Sequence, residues 1–280
     1  FNEGNQEAAL AAFREAHART TLLYERDPSS GQRLFDLAQA EFWVGMVAFE
    51  RGRLDETGVW WHRYRDRAQQ LAAMDPGNFA WQKEVGYALQ NLAVLEERRG
   101  QFEAAEAQMV ELLGLYRGWV RERPADYQLR QEMSDVVSWL GSMALRQGRL
   151  REAEAYFLEH VEVMRSLVRE DPLDARWKDY LHDALLLLVD ARVQVGQIEA
   201  AEADVREAAS IAAALSAQDP SNNQWRVNRA QSLHWQATFA GEPPSGDVVV
   251  ETPSVGSWVE DALVDVMLEL RCVGSFDGVA

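Results

Sequence analysis

The sequence holds one cysteine, Cys272, so no disulfide can close within the chain and no thiolate metal cluster can form. That usage fits a reducing compartment, and the expectation is a cytoplasmic protein. Histidine is scarce as well. His17, His62, His160, His182 and His234 include no pair at metal-ligand spacing, and no HExxH occurs. No glycine-rich phosphate loop is present, because "GEPPSG" has no lysine and no helix start behind it. GxSxG is absent, and "HRYRD" at His62 lies within a helical pattern without the downstream asparagine of a kinase loop. The expectation is a chain that is not an enzyme, with no catalytic residue, no metal and no cofactor. No apolar run reaches the ~20 residues of a membrane span. Positive charge is in deficit: 28 Lys and Arg against 45 Asp and Glu give a net charge of -17 and a pI near 4.7. Such a chain repels phosphate backbones, which argues against nucleic acid as a partner. The charge serves solubility or a basic partner. The chain starts at Phe1 without a signal-like stretch, and it reads as a piece of a longer protein.

Proline is also rare, with eight in 280 residues, yet five of them keep a fixed interval. Pro28, Pro76, Pro124, Pro172 and Pro220 each stand 48 residues after the last. Two residues past each proline comes Ser30, Asn78, Asp126, Asp174 or Asn222. The side-chain oxygens of these residue types cap a free first-turn N–H. Apolar residues then recur at helical spacing, as in Trp81, Val85, Leu89 and Leu92, or Trp177, Leu181, Leu185 and Leu188. Gly52, Gly100, Gly148 and Gly196 follow at a fixed offset, where a left-handed residue would end the helix. A second helix is expected after each, with Asp55, Glu103, Glu152 or Glu199 in its first turn, where the helix dipole favours negative charge. Its buried face runs through Phe102, Ala105, Met109 and Leu112, then Leu150, Ala153, Phe157 and His160 in the next copy. His160 stands in a column that is otherwise small or apolar, and reads as a packed histidine. The next proline closes the unit by pushing its predecessor out of helical space.

The expected organisation is an array of helical hairpins over 1–240. Residues 1–27 are read as the second helix of a truncated repeat. Full repeats occupy 28–75, 76–123, 124–171 and 172–219, and 220–240 is the first helix of a last repeat. Prolines and glycines make 241–257 a loop, with a short strand at "DVVVE". Residues 258–271 read as an amphipathic helix, with Trp258, Ala262, Val266 and Leu270 in line, followed by a tail to 280. That helix either caps the array, docks elsewhere or stays disordered.

These columns resemble the tetratricopeptide repeat family, in a long-unit bacterial variant. The family's small position corresponds to Gly45, Ala93, Gly141, Val189 and Ala237. Its alanine position corresponds to Ala105, Ala153 and Ala201, with Thr57 departing, and its large position to Trp61, Met109, Phe157 and Val205. The family unit has ~34 residues, so each helix here is longer by about two turns, which keeps the packing face nearly in phase. The resemblance implies an all-α fold, a right-handed superhelical solenoid of antiparallel helix pairs.

It also implies that the first helices line a concave groove holding a peptide, a helix or an adjoining domain. The residues placed there by the resemblance include Trp43, Met46, Tyr87, Gln90, Asn91, Asp135, Trp139, Asp183, Asp190 and Trp235. One column reads Trp43, Asn91, Trp139, Leu187 and Trp235. Tryptophan is enriched at binding hot spots, but it is also large, so binding and packing both account for the column. The family's basic clamp for a terminal carboxylate has no counterpart here. The functional expectation is a non-catalytic protein-interaction scaffold within a larger bacterial signalling or regulatory protein. Its partner would be a protein, a peptide or a domain N-terminal to Phe1. The alternative is a regulatory or oligomerisation segment controlling an attached catalytic module.

Overall fold

The computed structural model describes residues 3–241. Among these it contains ten α-helices and nothing else that is regular. In chain order they are α1 (Glu3–Arg26), α2 (Gly31–Glu50), α3 (Leu54–Met74), α4 (Phe79–Arg98) and α5 (Phe102–Glu122), then α6 (Tyr127–Arg146), α7 (Leu150–Glu170), α8 (Ala175–Val195), α9 (Ile198–Gln218) and α10 (Asn223–Ala240). The strand expected at "DVVVE" and the helix expected over 258–271 lie outside the described residues.

Each start and stop has a local chemical cause. Ser30, Asn78, Asp126 and Asn222 hold extended backbone, and their side chains accept from the N–H of Arg33, Trp81, Leu129 and Trp225. Asp174 does the same for Arg176, one residue nearer. The aspartate before the proline adds a second device. Asp75 Oδ1 accepts from Gly77 N–H at 3.0 Å, and Asp219 Oδ1 from Ser221 N–H at 2.9 Å. These side-chain turns hold the corner that the proline begins. At the other end, Gly100 sits at φ 73°. That conformation lets Gln101 N–H reach back to Glu96 O at 2.8 Å and satisfy a carbonyl the helix leaves open. The same bond recurs from Arg53 to Ala48, Arg149 to Ala144 and Gln197 to Arg192.

Turns of two to four residues between helices of 20 or 21 residues force hairpins from α2 to α9. Two of the hairpins close where the first helix offers no side chain. A Cβ on Gly45 would lie 2.4 Å from Trp61 Cδ1, and one on Gly141 would lie 2.7 Å from Phe157 Cε1. Real side chains do not approach that closely, so α3 packs against the bare backbone of α2, and α7 against that of α6.

The chain divides into two compact units whose boundary falls between Gly118 and Trp119, inside α5. In the first unit α1, α2, α3 and α4 pack in sequence. Its core joins Leu34, Phe42, Trp61, Tyr64, Leu71, Leu92 and Leu95, all essentially inaccessible. In the second unit α6 to α10 pack in sequence, and α8 also touches α10. Its core is built on Phe157, Val161, Met164, Leu167, Leu181, Leu185 and Leu188. No helix among the described residues is long and apolar enough to cross a membrane.

Candidate functional site: the first-helix face

Call α2, α4, α6, α8 and α10 first helices and the others second helices. In the first unit the expected site residues are largely half-buried. Trp43 stacks on Phe13 at 5.5 Å and meets Phe42 edge-on at 5.1 Å. Met46 packs on the same core. Lys83 Nζ lies 5.4 Å from the Tyr87 ring centroid. Gln90 is half-buried. Asn91 is 1% exposed, and its Nδ2 has no hydrogen-bond partner.

In the second unit, Asp135 accepts from Gln131 at 3.3 Å and Asp190 from Gln194 at 3.1 Å. Asp183 is exposed and lies 2.9 Å from His182 Nδ1. Trp235 is half-buried, stacked on Phe239 at 5.7 Å, against Val189, Ala201 and Val205. Trp139 is 1% exposed and its indole N–H has no partner. The tryptophan column is therefore not uniform: Trp43 and Trp235 keep accessible surface, whereas Trp139 is core.

The carboxylates of α6 and α8 are Glu132, Asp135, Asp179, Asp183 and Asp190, and they share these helices with Arg130, Arg146, Arg176, Lys178 and Arg192. Burial pushes the Asp135 carboxyl up to about 7, the neighbouring Glu132 adding to the shift. Burial raises Asp179 to about 6, and the charge of Asp183 one turn on pushes the same way. Among the described residues no Lys or Arg pairs with either. Each group is one that an incoming cation would stabilise in its ionised form.

Two further clusters escaped the sequence reading. Glu41 is 2% exposed and stands in a column that is otherwise Leu89, Val137, Leu185 and Leu233. His17 Nε2 lies 3.7 Å from it and Arg67 Nε 3.5 Å, with Arg63 and Asp66 also contributing to its field. Burial raises its carboxyl to about 7. A single charge in an apolar column was the available signal.

The second cluster joins α8 to α10. His182 Nε2 lies 2.9 Å from Ser232 Oγ and 3.1 Å from Asn228 O, and Asp179 accepts from Asn228 Nδ2 at 2.8 Å. The order Ser232–His182–Asp183 is that of a nucleophilic triad. Its surroundings deny that chemistry. Ser232 is 1% exposed, and its hydroxyl donates back to Asn228 O at 3.0 Å within its own helix. The cluster is a buried polar tie between helices. His160 is likewise packed, its Nδ1 lying 2.6 Å from Ser134 Oγ, with its pKa lowered by burial to about 4. Among the described residues no group of three or more His, Cys, Asp or Glu side chains could hold a metal ion.

The architecture of the described residues is an array of helical hairpins. The chain is similar in fold to BtubC (BKLC) from P. vanneervenii, with a TM-score of 0.56, 16% identity, and coverage of 98% of this chain and 94% of that one. A thermophilic TPR protein of Thermus thermophilus, TTC0263, aligns at a TM-score of 0.35 with 16% identity over 82% of this chain and 95% of its own. NprR in complex with its cognate peptide NprX aligns at 0.37 with 12% identity over 100% and 84%. No family model and no curated protein matches the sequence.

Proposed function

We propose that the chain is a non-catalytic protein-interaction scaffold, and that the first-helix face of the second unit takes a basic peptide or helix. The observation that carries this reading is the set of half-buried carboxylates there. Asp135 and Asp179 sit where burial penalises their ionised form, with no Lys or Arg among the described residues paired to either, although the His182 ring and the Asn228 amide already ease the charge on Asp179. Asp183 and Asp190 extend the same sign along α8. Half-buried Leu186 and Leu187 supply apolar contact next to them. A lysine or arginine brought by a partner would pair with carboxylates already partly out of water, where attraction is stronger than at an open surface. Backbone repulsion keeps nucleic acid away from a chain of this net charge. The setting we propose is a larger bacterial signalling or regulatory protein.

The test is titration calorimetry with two peptides of equal length and hydropathy, one rich in lysine and arginine, the other in aspartate and glutamate. The basic peptide should bind, weaken with added salt, and weaken again on Asp135→Asn with Asp190→Asn while the melting curve holds. Equal affinity for both peptides, or no effect of the two substitutions, defeats the proposal.

A further inference from the structure

In each complete hairpin one face of the first helix is covered by the second helix of the same hairpin. Gly45 lies under Trp61 and Gly141 under Phe157, while Ser134 bonds His160. The equivalent residues of α10 are Ala237 for Gly45 and Gly141, and Ala230 for Ser134. Between them lies Leu233, in the column of Leu89, Val137 and Leu185, which are buried. Here Leu233 is 53% exposed, and Ala230 and Ala237 are only half-buried. The opposite side of α10, with Asn228, Ser232, Trp235 and Phe239, already packs on α8 and α9. So α10 has one satisfied face and one apolar face without its hairpin partner among the described residues.

We infer that residues 257–273 are that partner: the second helix of the last hairpin, displaced along the chain by an insertion. The register is legible column by column. Val259, Glu260, Ala262, Asp265 and Val266 follow Ile198, Glu199, Ala201, Asp204 and Val205 by 61 residues each, one 48-residue interval plus 13. Four of these five pairs are identical. Val273 continues the match to Ala212 in a column whose other members, Ala68, Tyr116 and Met164, are buried. This register puts Val266 over Ala237, as Phe157 lies over Gly141. The one departure is Glu269, in the column of Tyr64, Leu112, His160 and Ala208. Charge favours the pairing. Residues 257–273 carry Glu260, Asp261, Asp265 and Glu269 against Arg271, whereas α10 carries Arg226 and Arg229, both exposed, and no acid. The longer connection is no obstacle, because loop-closure entropy rises only with the logarithm of length.

Disulfide trapping in the full chain tests this. In a Cys272→Ser background, Ala237→Cys is combined with Val266→Cys, or with Val264→Cys, which the same helix turns ~200° away. An intramolecular crosslink several-fold more abundant for the Val266 pair supports the assignment. Equal yields, or crosslinks only between two chains, overturn it, the latter giving the face to a second copy. A readout without cysteine uses amide exchange in α10. Val266→Asp should speed exchange there and Val264→Asp should not; no difference between them rejects the register.

Discussion

Gly45→Ala is the sharpest probe of how the hairpins close. The added methyl would lie 2.4 Å from Trp61 Cδ1 and 2.6 Å from Trp61 Nε1, with Trp60 Cβ at 3.1 Å. Trp61 cannot yield easily. It is fully buried, stacked at 5.2 Å on Phe49 and at 6.4 Å on Phe42, and its indole N–H donates to Phe42 O at 3.3 Å. Overpacking a core by one methyl costs ~1–3 kcal/mol. Displacing the indole hydrogen bond adds about 1 kcal/mol. Replacing glycine by alanine inside a helix returns about 1 kcal/mol. The net expectation is a loss of about 1–3 kcal/mol. Gly114→Ala is the control, because it lies mid-helix in α5 and a Cβ there meets nothing within 4 Å. That substitution should stabilise by up to about 1 kcal/mol. Urea denaturation followed by circular dichroism measures both. If Gly45→Ala is as stabilising as Gly114→Ala, the close approach of α2 and α3 is wrong.

Trp139→Ala should cost ~3–5 kcal/mol as a core truncation. Trp43→Ala, at a half-buried position, should cost clearly less, and paired melting curves separate the two. Asp135 and His160 should oppose each other in pH dependence. The raised carboxyl of Asp135 binds its proton more tightly folded than unfolded, so its contribution falls as pH rises from about 4 to about 7. His160, lowered to about 4, has the reverse sign, losing stability as pH falls from about 6.5 toward 4. Urea midpoints from pH 4 to 8 should show Asp135→Asn removing the first slope and His160→Gln the second. Finally, Glu41→Leu with Arg67→Leu restores the apolar columns of Leu89 and Leu115. Such replacements are neutral or stabilising by ~1–4 kcal/mol, whereas Glu41→Ala alone should destabilise. A double variant less stable than the single one would refute that reading.

What the sequence showed plainly was local punctuation. Asn78 and Asp126 cap their helices, and Gly100 turns left-handed, because each effect is decided within a few residues. The all-α character followed from the same signals. Burial along the tryptophan column was not legible, since Trp43 and Trp139 share a position and differ only in what packs over them. Asp135 and Asp179 gave no warning of their raised carboxyls, because the cause is desolvation by neighbouring helices. Glu41 could have been found by comparing its column with Leu89, Val137 and Leu185. The Asn228–His182–Ser232 tie could not, since it needs α8 and α10 brought together.

The central claim is that the first helices of the second unit form the binding face. Hydrogen-exchange footprinting of the full chain with a saturating basic peptide tests it most directly. Protection should concentrate on α6 and α8, around Asp135, Asp183 and Asp190, and leave α7 and α9 unchanged. Protection confined to α7 and α9, or absent throughout, would contradict the account.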